Sequence, residues 1–409
     1  MIRLKRICPV CSHDRGTHLL SLDFVLYEDH PLSGGYDLAS CEKCGFVFAD
    51  TSVTQSDYDR YYAKFSRYED NRTCTGGGES AYDSARLDET ARDIAGRIPD
   101  RNARILDVGC ANGGLLKRLI DLGFANVVGI DPSAACARNT SALTGKPGFA
   151  CSLFNLPPEL GSFDVVIVSH VLEHLFDVSL AVQNLVGLLR DKGFVYAECP
   201  DAACYDRVVH APYQEFNTEH INHFSRTSLG NLFHSHGLAT LHDGERSFSI
   251  ASGTPYWAVF GFYRKDGGTA KSGNIVYDAE LSICAKSYIT KSESIMACMR
   301  EKIREAVVGN CPIVVWGTGQ LTMKLLSMTD LAKGNLFAFV DSSPTNQGKQ
   351  LMGKSIIRPN DLKKEANRKW KIVVASTIYE KAIRSDIKEL FGESVPVVGL
   401  SGCLEGLPA

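Results

Sequence analysis

Two Cys-x-x-C pairs near the start of the chain have the spacing of a metal site. Their cysteines are Cys8, Cys11, Cys41 and Cys44. Two residues between cysteines let a tight turn direct both thiolates at one cation, and two such turns complete the tetrahedral shell that structural zinc prefers. A redox dithiol needs only one pair and would leave the other without a role. We therefore predict a structural Zn²⁺ held by all four thiolates, with no open position for substrate.

A second candidate site combines acidic residues with glycines at the ends of predicted strands. Residues 104–114 read as a strand that runs into a glycine-rich turn, and the next strand ends at Asp131, 24 positions after Asp107. A carboxylate there can accept hydrogen bonds from both ribose hydroxyls of a nucleoside. The turn lacks the G-x-G-x-x-G pattern that seats a pyrophosphate, and Asp107 would repel one but could hold an ammonium group. S-adenosylmethionine is therefore favoured over NAD.

A glutamate and a histidine that could perform acid–base chemistry are adjacent at Glu219 and His220. Histidine titrates near neutrality and can remove a proton, while a neighbouring carboxylate can orient it or support its charged form. His223, three residues later, is a reserve candidate. The pair could also be a surface or helix-capping dipeptide, and the residues alone leave both interpretations open.

Composition limits the class of protein and of partner. With 409 residues, two or three domains are expected. No apolar run approaches the roughly 20 residues of a membrane span, and the N-terminus lacks an apolar signal core, so we expect a cytoplasmic protein. A net charge of -3 disfavours binding of nucleic acid and favours a small-molecule substrate. The other cysteines, such as Cys199, Cys284 and Cys311, should be small buried side chains.

The predicted organisation is α/β with three parts. We expect a zinc module over residues 1–70, a doubly wound domain over 71–300 and a second Rossmann-like domain over 301–409. The glycine-rich stretch at 75–78 marks the first boundary as a loop. In the last domain a G-x-G turn precedes a strand that ends at Asp341, which is weak support for a dinucleotide because the third glycine is missing.

Three strings in order resemble the class I methyltransferase family. They are ILDVGCANGG at 105–114, VVGIDPS at 127–133 and FDVVIVSHVLEHL at 163–175. The resemblance implies a Rossmann-like domain that binds S-adenosylmethionine, with Glu173 and His174 at a helix start in a structural role. The cofactor-binding residues that it implies are Asp107, Gly109, Gly113, Asp131, Pro132, Ser169 and His170.

The chain is also similar to a narrower family, the sugar C-methyltransferases that act on nucleotide-linked (probably dTDP-linked) keto-deoxysugars. The similarity lies in the E-x-P strand end at 198–200, the E-H-x-x-x-F-S string at 219–225, the four-cysteine module and the C-terminal α/β domain. It implies that His220 is the base that makes a sugar enolate and that Glu219 is its partner. Family members often have a tyrosine where this chain has Asn217.

Three functions remain open at this point. The first is C-methylation of a nucleotide-linked keto-deoxysugar. The second is O-methylation of a sugar or small metabolite, which needs no adjacent ketone. The third is a scaffold whose methyltransferase domain only binds cofactor or partners. The C-terminal domain is either a wall of the nucleotide-sugar site, as the family resemblance implies, or purely structural.

Overall fold

The computed structural model describes residues 1–65, 80–249, 253–265, 274–365 and 369–405. The predicted loop at 75–78 and the predicted boundary after residue 70 lie outside these ranges. Within the described ranges no helix is both long and apolar enough to cross a membrane.

The described strands are β1 (Ile2–Arg3), β2 (Arg15–Asp23), β3 (Gly35–Cys41), β4 (Val47–Asp50), β5 (Ile105–Val108), β6 (Val127–Asp131), β7 (Gly148–Ala150), β8 (Phe163–Ser169), β9 (Leu189–Pro200), β10 (Asn222–His223), β11 (Leu238–Ser249), β12 (Pro255–Lys265), β13 (Ile313–Trp316), β14 (Leu336–Val340), β15 (Gln350–Leu351), β16 (Lys354–Ile357), β17 (Lys371–Val374) and β18 (Val397–Gly399). The helices are α1 (Gln55–Phe65), α2 (Ala81–Arg97), α3 (Gly114–Asp121), α4 (Ala134–Thr144), α5 (Val178–Leu188), α6 (Arg226–Ser235), α7 (Ala279–Val307), α8 (Gln320–Met328), α9 (Pro359–Leu362) and α10 (Glu380–Phe391).

The central sheet has seven strands in the order β11-β12-β9-β8-β5-β6-β7. The five strands from β9 to β7 are parallel, and β12 and β11 add an antiparallel edge. Strand β5 is buried along its whole length, since Ile105 packs in a core with Leu116 of α3 and Ile94 of α2. The predicted doubly wound domain is confirmed, and it brings the carboxyl ends of β5, β6 and β8 to one edge, where such sheets bind ligands.

The C-terminal sheet has six strands in the order β15-β16-β14-β13-β17-β18. All are parallel except β15. Its core includes Trp316 of β13, Ile372 of β17 and Ile387 of α10. The second Rossmann-like domain is therefore confirmed as well.

The N-terminal sheet has five strands in the order β1-β2-β3-β4-β10. Its last strand is distant in sequence: Asn222 lies opposite Phe48 and His223 opposite Val47. The cysteine module thus shares a sheet with the segment that follows Glu219 and His220. This pairing could not be read from the sequence, because a two-residue strand carries no periodicity.

The chain divides into two compact units. Unit 1 comprises 1–18, 39–204 and 219–283, and unit 2 comprises 19–38, 205–218 and 284–409. The three-part boundaries at residues 70 and 300 stay a prediction.

The cysteines outside the two Cys-x-x-C pairs only partly follow the prediction that they are buried. Cys199 is buried, but Cys284 and Cys311 are partly exposed. Cys298 of α7 and Cys403 form a disulfide. The expectation of small buried side chains is therefore wrong at Cys284 and Cys311. The disulfide was not predicted, because pairing depends on long-range proximity that spacing does not reveal.

Candidate active site

The first part of the site is the glycine turn after β5 together with the end of β6. The carboxylate of Asp131 accepts hydrogen bonds from the backbone N–H of Ala111 at 3.0 Å and of Ser133 at 2.8 Å. Asp107 is buried within β5, and burial together with the charge of Asp131 raises its pKa to about 8. The two carboxylates therefore flank the turn, one buried and one partly exposed.

Two glycines of this turn have backbone conformations that a side chain would disturb. Gly109 has φ +69° and Gly113, which precedes α3, has φ +83°. A Cβ on Gly113 would lie 2.9 Å from Cα of Thr140, and one on Gly109 would lie 2.7 Å from a methyl of Val171. The turn is thus closely covered, and the segment after β8 passes directly over Gly109.

A buried network of charges follows at the ends of β8 and β9. His170 lies with Nδ1 3.3 Å from Glu173 Oε1 and with Nε2 3.3 Å from Glu198 Oε1. Burial alone would lower the pKa of His170, but the two carboxylates outweigh it and raise the pKa to about 9. Ser169 donates to Glu198 at 3.2 Å. His170 is consequently a charged residue with two carboxylate partners at neutral pH.

Glu198 is held ionised although it is fully buried. Its Oε2 accepts from the hydroxyl of Tyr196 at 2.5 Å and lies 3.5 Å from Nε of Arg246. Burial would raise the pKa of Glu198, but the hydrogen bond and charge of His170, together with Arg246, lower it to about 2. Arg246 also contacts Asp93 at 2.6 Å. This network connects the ends of β8 and β9 to β11 and α2 through charged contacts.

The second part of the site is a cluster around the Glu-His pair. The rings of His174 and His220 meet edge to face with centroids 4.8 Å apart, and His174 Nδ1 lies 3.2 Å from the carbonyl oxygen of Glu219. Glu173 Oε1 is 3.9 Å from His174 Nε2. One atom of each of Glu173, His174 and His220 lies within 4.8 Å of the other two, a separation that one water molecule can bridge for proton transfer.

Helix α1 contributes tyrosines to the same cluster. The ring of Tyr62 meets that of His174 with centroids 5.7 Å apart. Tyr58, one turn earlier, is buried, and burial together with the charge of Glu219 raises the pKa of its hydroxyl. This position of Tyr58 and Tyr62 could not be predicted from the sequence, because contacts with residues more than 100 positions away leave no local signal.

Glu173, His174 and His223 differ from their predicted roles or surroundings. Glu173 and His174 do not begin an α-helix: they lie in a 3₁₀ turn, Leu172–His174, and α5 begins only at Val178. The prediction of a helix-start role is therefore wrong, and both side chains face the cluster instead. His223 is fully buried in β10, and burial with the nearby charge of Arg6 lowers its pKa to about 3.

The four cysteines of the two Cys-x-x-C pairs lie close together. Their sulfurs all lie within 4.8 Å of one another, with Cys8 3.5 Å from Cys44 and Cys11 3.5 Å from Cys41. In a tetrahedral zinc site with Zn–S bonds near 2.3 Å, sulfurs are about 3.8 Å apart. The donor set and its spacing therefore fit one Zn²⁺, as the sequence predicts.

The predicted catalytic and cofactor-binding residues fall into three places. Asp107, Gly109, Gly113, Asp131 and Pro132 belong to the glycine turn and the end of β6, and Ser169 and His170 to the charge network. His220 belongs to the cluster with His174, which Glu219 contacts through its backbone carbonyl, and the carboxylate within 4.8 Å of both histidines is that of Glu173. The residues that sequence reasoning missed are Tyr62, Tyr196 and Arg246. The roles assigned to the predicted residues stay predictions.

Comparison with known proteins agrees with the fold. A family model described as "Methyltransferase domain" matches residues 81–243, and one described as "C2185-like, N-terminal" matches 309–394. Ubiquinone biosynthesis O-methyltransferases of Bartonella tribocorum and Nitrobacter winogradskyi are 30% and 31% identical to this chain over 116 and 119 residues. Each alignment covers 26% of this chain and 45% of the relative, so the chain spans less than half the length of these relatives.

Among solved structures, the N-methyltransferase NodS from Bradyrhizobium japonicum in complex with S-adenosyl-l-homocysteine is similar over 52% of this chain and 97% of its own. The identity is 15% and the TM-score 0.37. The family model and the order of the central sheet lead to the same assignment. Residues 81–243 form a methyltransferase domain of the class I fold.

Proposed function

We propose that this protein is an S-adenosylmethionine-dependent methyltransferase that methylates a carbon of a nucleotide-linked keto-deoxysugar. The observation that carries the proposal is the position of His220, against His174 in a buried cluster, next to the segment that covers the glycine turn of a methyltransferase domain. The residue identities of the turn and the E-H-x-x-x-F-S string support the cofactor and the substrate class respectively.

The residues around the glycine turn fit the cofactor. Asp131 would hold the ribose hydroxyls, because its carboxylate stands at the end of β6 beside the turn. Asp107 would face the ammonium end, and Gly109 and Gly113 would allow the left-handed backbone that shapes the turn beside it. When bound, S-adenosylmethionine supplies an electrophilic methyl group on a sulfonium.

The cluster around His220 would carry the proton. His220 would take the proton from the carbon next to the sugar ketone, and the C–H electron pair would become an enolate. The enolate carbon would then bond to the methyl group that bound S-adenosylmethionine supplies, and the electrons of the broken S–CH₃ bond would stay on sulfur. His174, which the carbonyl of Glu219 holds at 3.2 Å, would orient the ring of His220.

The cysteine module is proposed to bind zinc for a structural purpose. The four thiolates would close a tetrahedral shell, and a closed shell leaves no position for a reacting molecule. Metal analysis is expected to give about one zinc per chain.

O-methylation of a small metabolite is the second candidate. The relatives that the chain resembles over part of its length are named O-methyltransferases. A base in the position of His220 could equally take a proton from a hydroxyl group. The two candidates differ in whether the substrate needs a ketone.

The test is incubation with methyl-labelled S-adenosylmethionine and a panel of nucleotide-linked sugars with and without a ketone, followed by NMR location of the new methyl. A methyl on carbon, formed only from ketosugars, supports C-methylation. A methyl on oxygen would contradict C-methylation and support O-methylation. No transfer to any compound would favour a scaffold.

The base assignment has its own test. His220→Asn should lower turnover about 10²–10⁴-fold, the usual share of a general base, with both ligands still bound. It should also abolish exchange of the ketone-adjacent proton with deuterated water. His242→Asn, on the exposed face of β11, serves as the control and should leave both rates unchanged. Exchange at the wild-type rate in His220→Asn would move the base elsewhere.

A further inference from the structure

Arg6 is a buried cation that neither the zinc site nor the proposed chemistry uses. It lies two residues before Cys8, and its side chain is 4% exposed. Its backbone N–H donates to Asp50 Oδ1 at 2.7 Å, at the end of β4. The cysteine module thus holds the main chain of Arg6 in place.

The guanidinium of Arg6 reaches the two chain segments that carry the histidine cluster. It donates to the carbonyl oxygens of Leu175 at 3.2 Å and of Phe176. It also donates to the carbonyl oxygen of Ile221 at 3.4 Å. Leu175 directly follows His174 and Ile221 directly follows His220 in the chain. One side chain therefore contacts the backbone next to each of the two facing imidazoles.

Asn222 completes the connection between these segments. Its Oδ1 accepts from Arg6 at 2.9 Å, and its Nδ2 donates to the carbonyl oxygens of Leu172 at 2.8 Å and Leu175 at 2.7 Å. These two carbonyls belong to the start of the 3₁₀ turn that carries Glu173 and His174 and to the residue just after it. Arg6 and Asn222 together form what we call the arginine clamp.

The chemistry of the clamp requires arginine. A guanidinium offers five N–H donors spread over a fixed plane, whereas an ammonium offers three donors from one nitrogen and reaches fewer acceptors on separate segments. The ring of Phe176 lies 4.6 Å from the guanidinium carbon and adds a cation–π contact.

We propose that Arg6 is a positioning residue that fixes the segments of His174 and His220 relative to each other, and that the cysteine module serves to hold Arg6 there. The effect on turnover rests on the proposed function, whereas the effect on backbone order does not. Geometry at a reacting pair is worth much, since a displacement of about 1 Å can cost about 10²-fold in rate.

The test compares Arg6→Met, Arg6→Lys and Asn222→Asp with the control Arg3→Met, an exposed basic residue of the same N-terminal segment. Zinc content, affinity for S-adenosylmethionine, kcat and KM are measured with amide hydrogen exchange of the whole chain. Asn222→Asp keeps an acceptor for Arg6 but removes the donor to Leu172 and Leu175, so it tests the clamp if Arg6→Met does not fold.

In Arg6→Met and Asn222→Asp, exchange should accelerate at least about tenfold at residues 172–176 and 219–224, with residues 105–131 unchanged. Zinc content and cofactor affinity should stay within about twofold, kcat should fall about 10–100-fold and KM should change less than about threefold. Arg6→Lys should recover part of the loss, and Arg3→Met should match the wild type. Exchange that is unchanged, or that rises equally at 105–131, would overturn the proposal. Absence of methyl transfer by the wild type would contradict the proposed function. The hydrogen-exchange data would still show whether Arg6 orders the two segments.

Discussion

The glycine turn after β5 and the glycine turn after β13 have the same arrangement of backbone hydrogen bonds around an aspartate. In the first, Gly109 N–H donates to the carbonyl of Ile130, and Asp131 accepts from Ser133 N–H at 2.8 Å. In the second, Gly317 N–H donates to the carbonyl of Val340, and Asp341 accepts from Ser343 N–H, also at 2.8 Å. Each aspartate further accepts from a backbone N–H of its turn, Ala111 in one case and Thr318 in the other.

The turns differ in two ways that bear on ligands. Two positions before the turn glycine, β5 has Asp107 where β13 has Val315. Asp341 also accepts from the hydroxyl of Thr318 at 2.5 Å and from Asn346 at 3.1 Å, so it holds four hydrogen bonds, the number a carboxylate can accept. A glycine turn that faces an aspartate is therefore not sufficient evidence of a nucleoside site, since the same pair can serve only to close a loop.

The largest expected contrast concerns the glycine that precedes each helix. Gly113→Ala should lower the free energy of unfolding of the methyltransferase domain by about 2–4 kcal/mol, because φ is +83° and the new Cβ would press on Thr140. Gly319→Ala should change stability by less than about 0.5 kcal/mol, since Gly319 has φ -82° and no atom lies within 4 Å of its Cβ position. Chemical denaturation followed by hydrogen exchange of each domain measures both. Equal losses in the two variants would show that the turns are equivalent.

The next contrast concerns the two aspartates. Asp131→Ala should weaken binding of S-adenosylmethionine by about 1.5–3 kcal/mol, the usual worth of hydrogen bonds to a charged group. Asp341→Ala should leave that affinity within about twofold and instead destabilise its own loop. Calorimetry on both variants decides. If Asp341→Ala weakened the cofactor as much as Asp131→Ala, the division of roles between the turns would be wrong.

The sequence could predict the parts of the site whose chemistry is local. The glycines at 109 and 113, the strand end at Asp131 and each Cys-x-x-C pair are marked by short spacing, and the structure brings the two cysteine pairs together as predicted. Both Rossmann-like sheets followed from strand and turn patterns in the same way.

The rest depends on contacts between distant positions. Arg6 reaches Asn222 across 216 positions, and Arg246 reaches Asp93 across 153. The two-residue strand β10 joins the sheet of the cysteine module by pairing with β4, where Asn222 lies opposite Phe48. Such pairings are set by packing in the folded chain, so no periodicity or motif in a single sequence marks them.

The last contrast is in pH dependence and follows from Asp107, which the turn after β13 lacks. Burial and the charge of Asp131 raise its pKa to about 8, so the cofactor-free protein carries a proton there at pH 6–7.5. Stability of the cofactor-free protein should therefore fall as pH rises from about 4 to 8, because the unfolded chain loses this proton earlier than the folded one.

An ammonium group beside Asp107 favours the ionised carboxylate, so binding of S-adenosylmethionine should release the proton. The dissociation constant for S-adenosylmethionine should fall by up to about tenfold per pH unit between pH 6 and 7.5, a range in which an α-amino group stays mostly protonated. Calorimetry in two buffers of different ionisation enthalpy measures the released proton directly. Asp107→Asn should remove the slope, and Asp121→Asn, at the exposed end of α3, should keep it. A slope that persisted in Asp107→Asn would assign the proton to another group. Asp107 would then have only a structural role, as Val315 has at the corresponding position of β13.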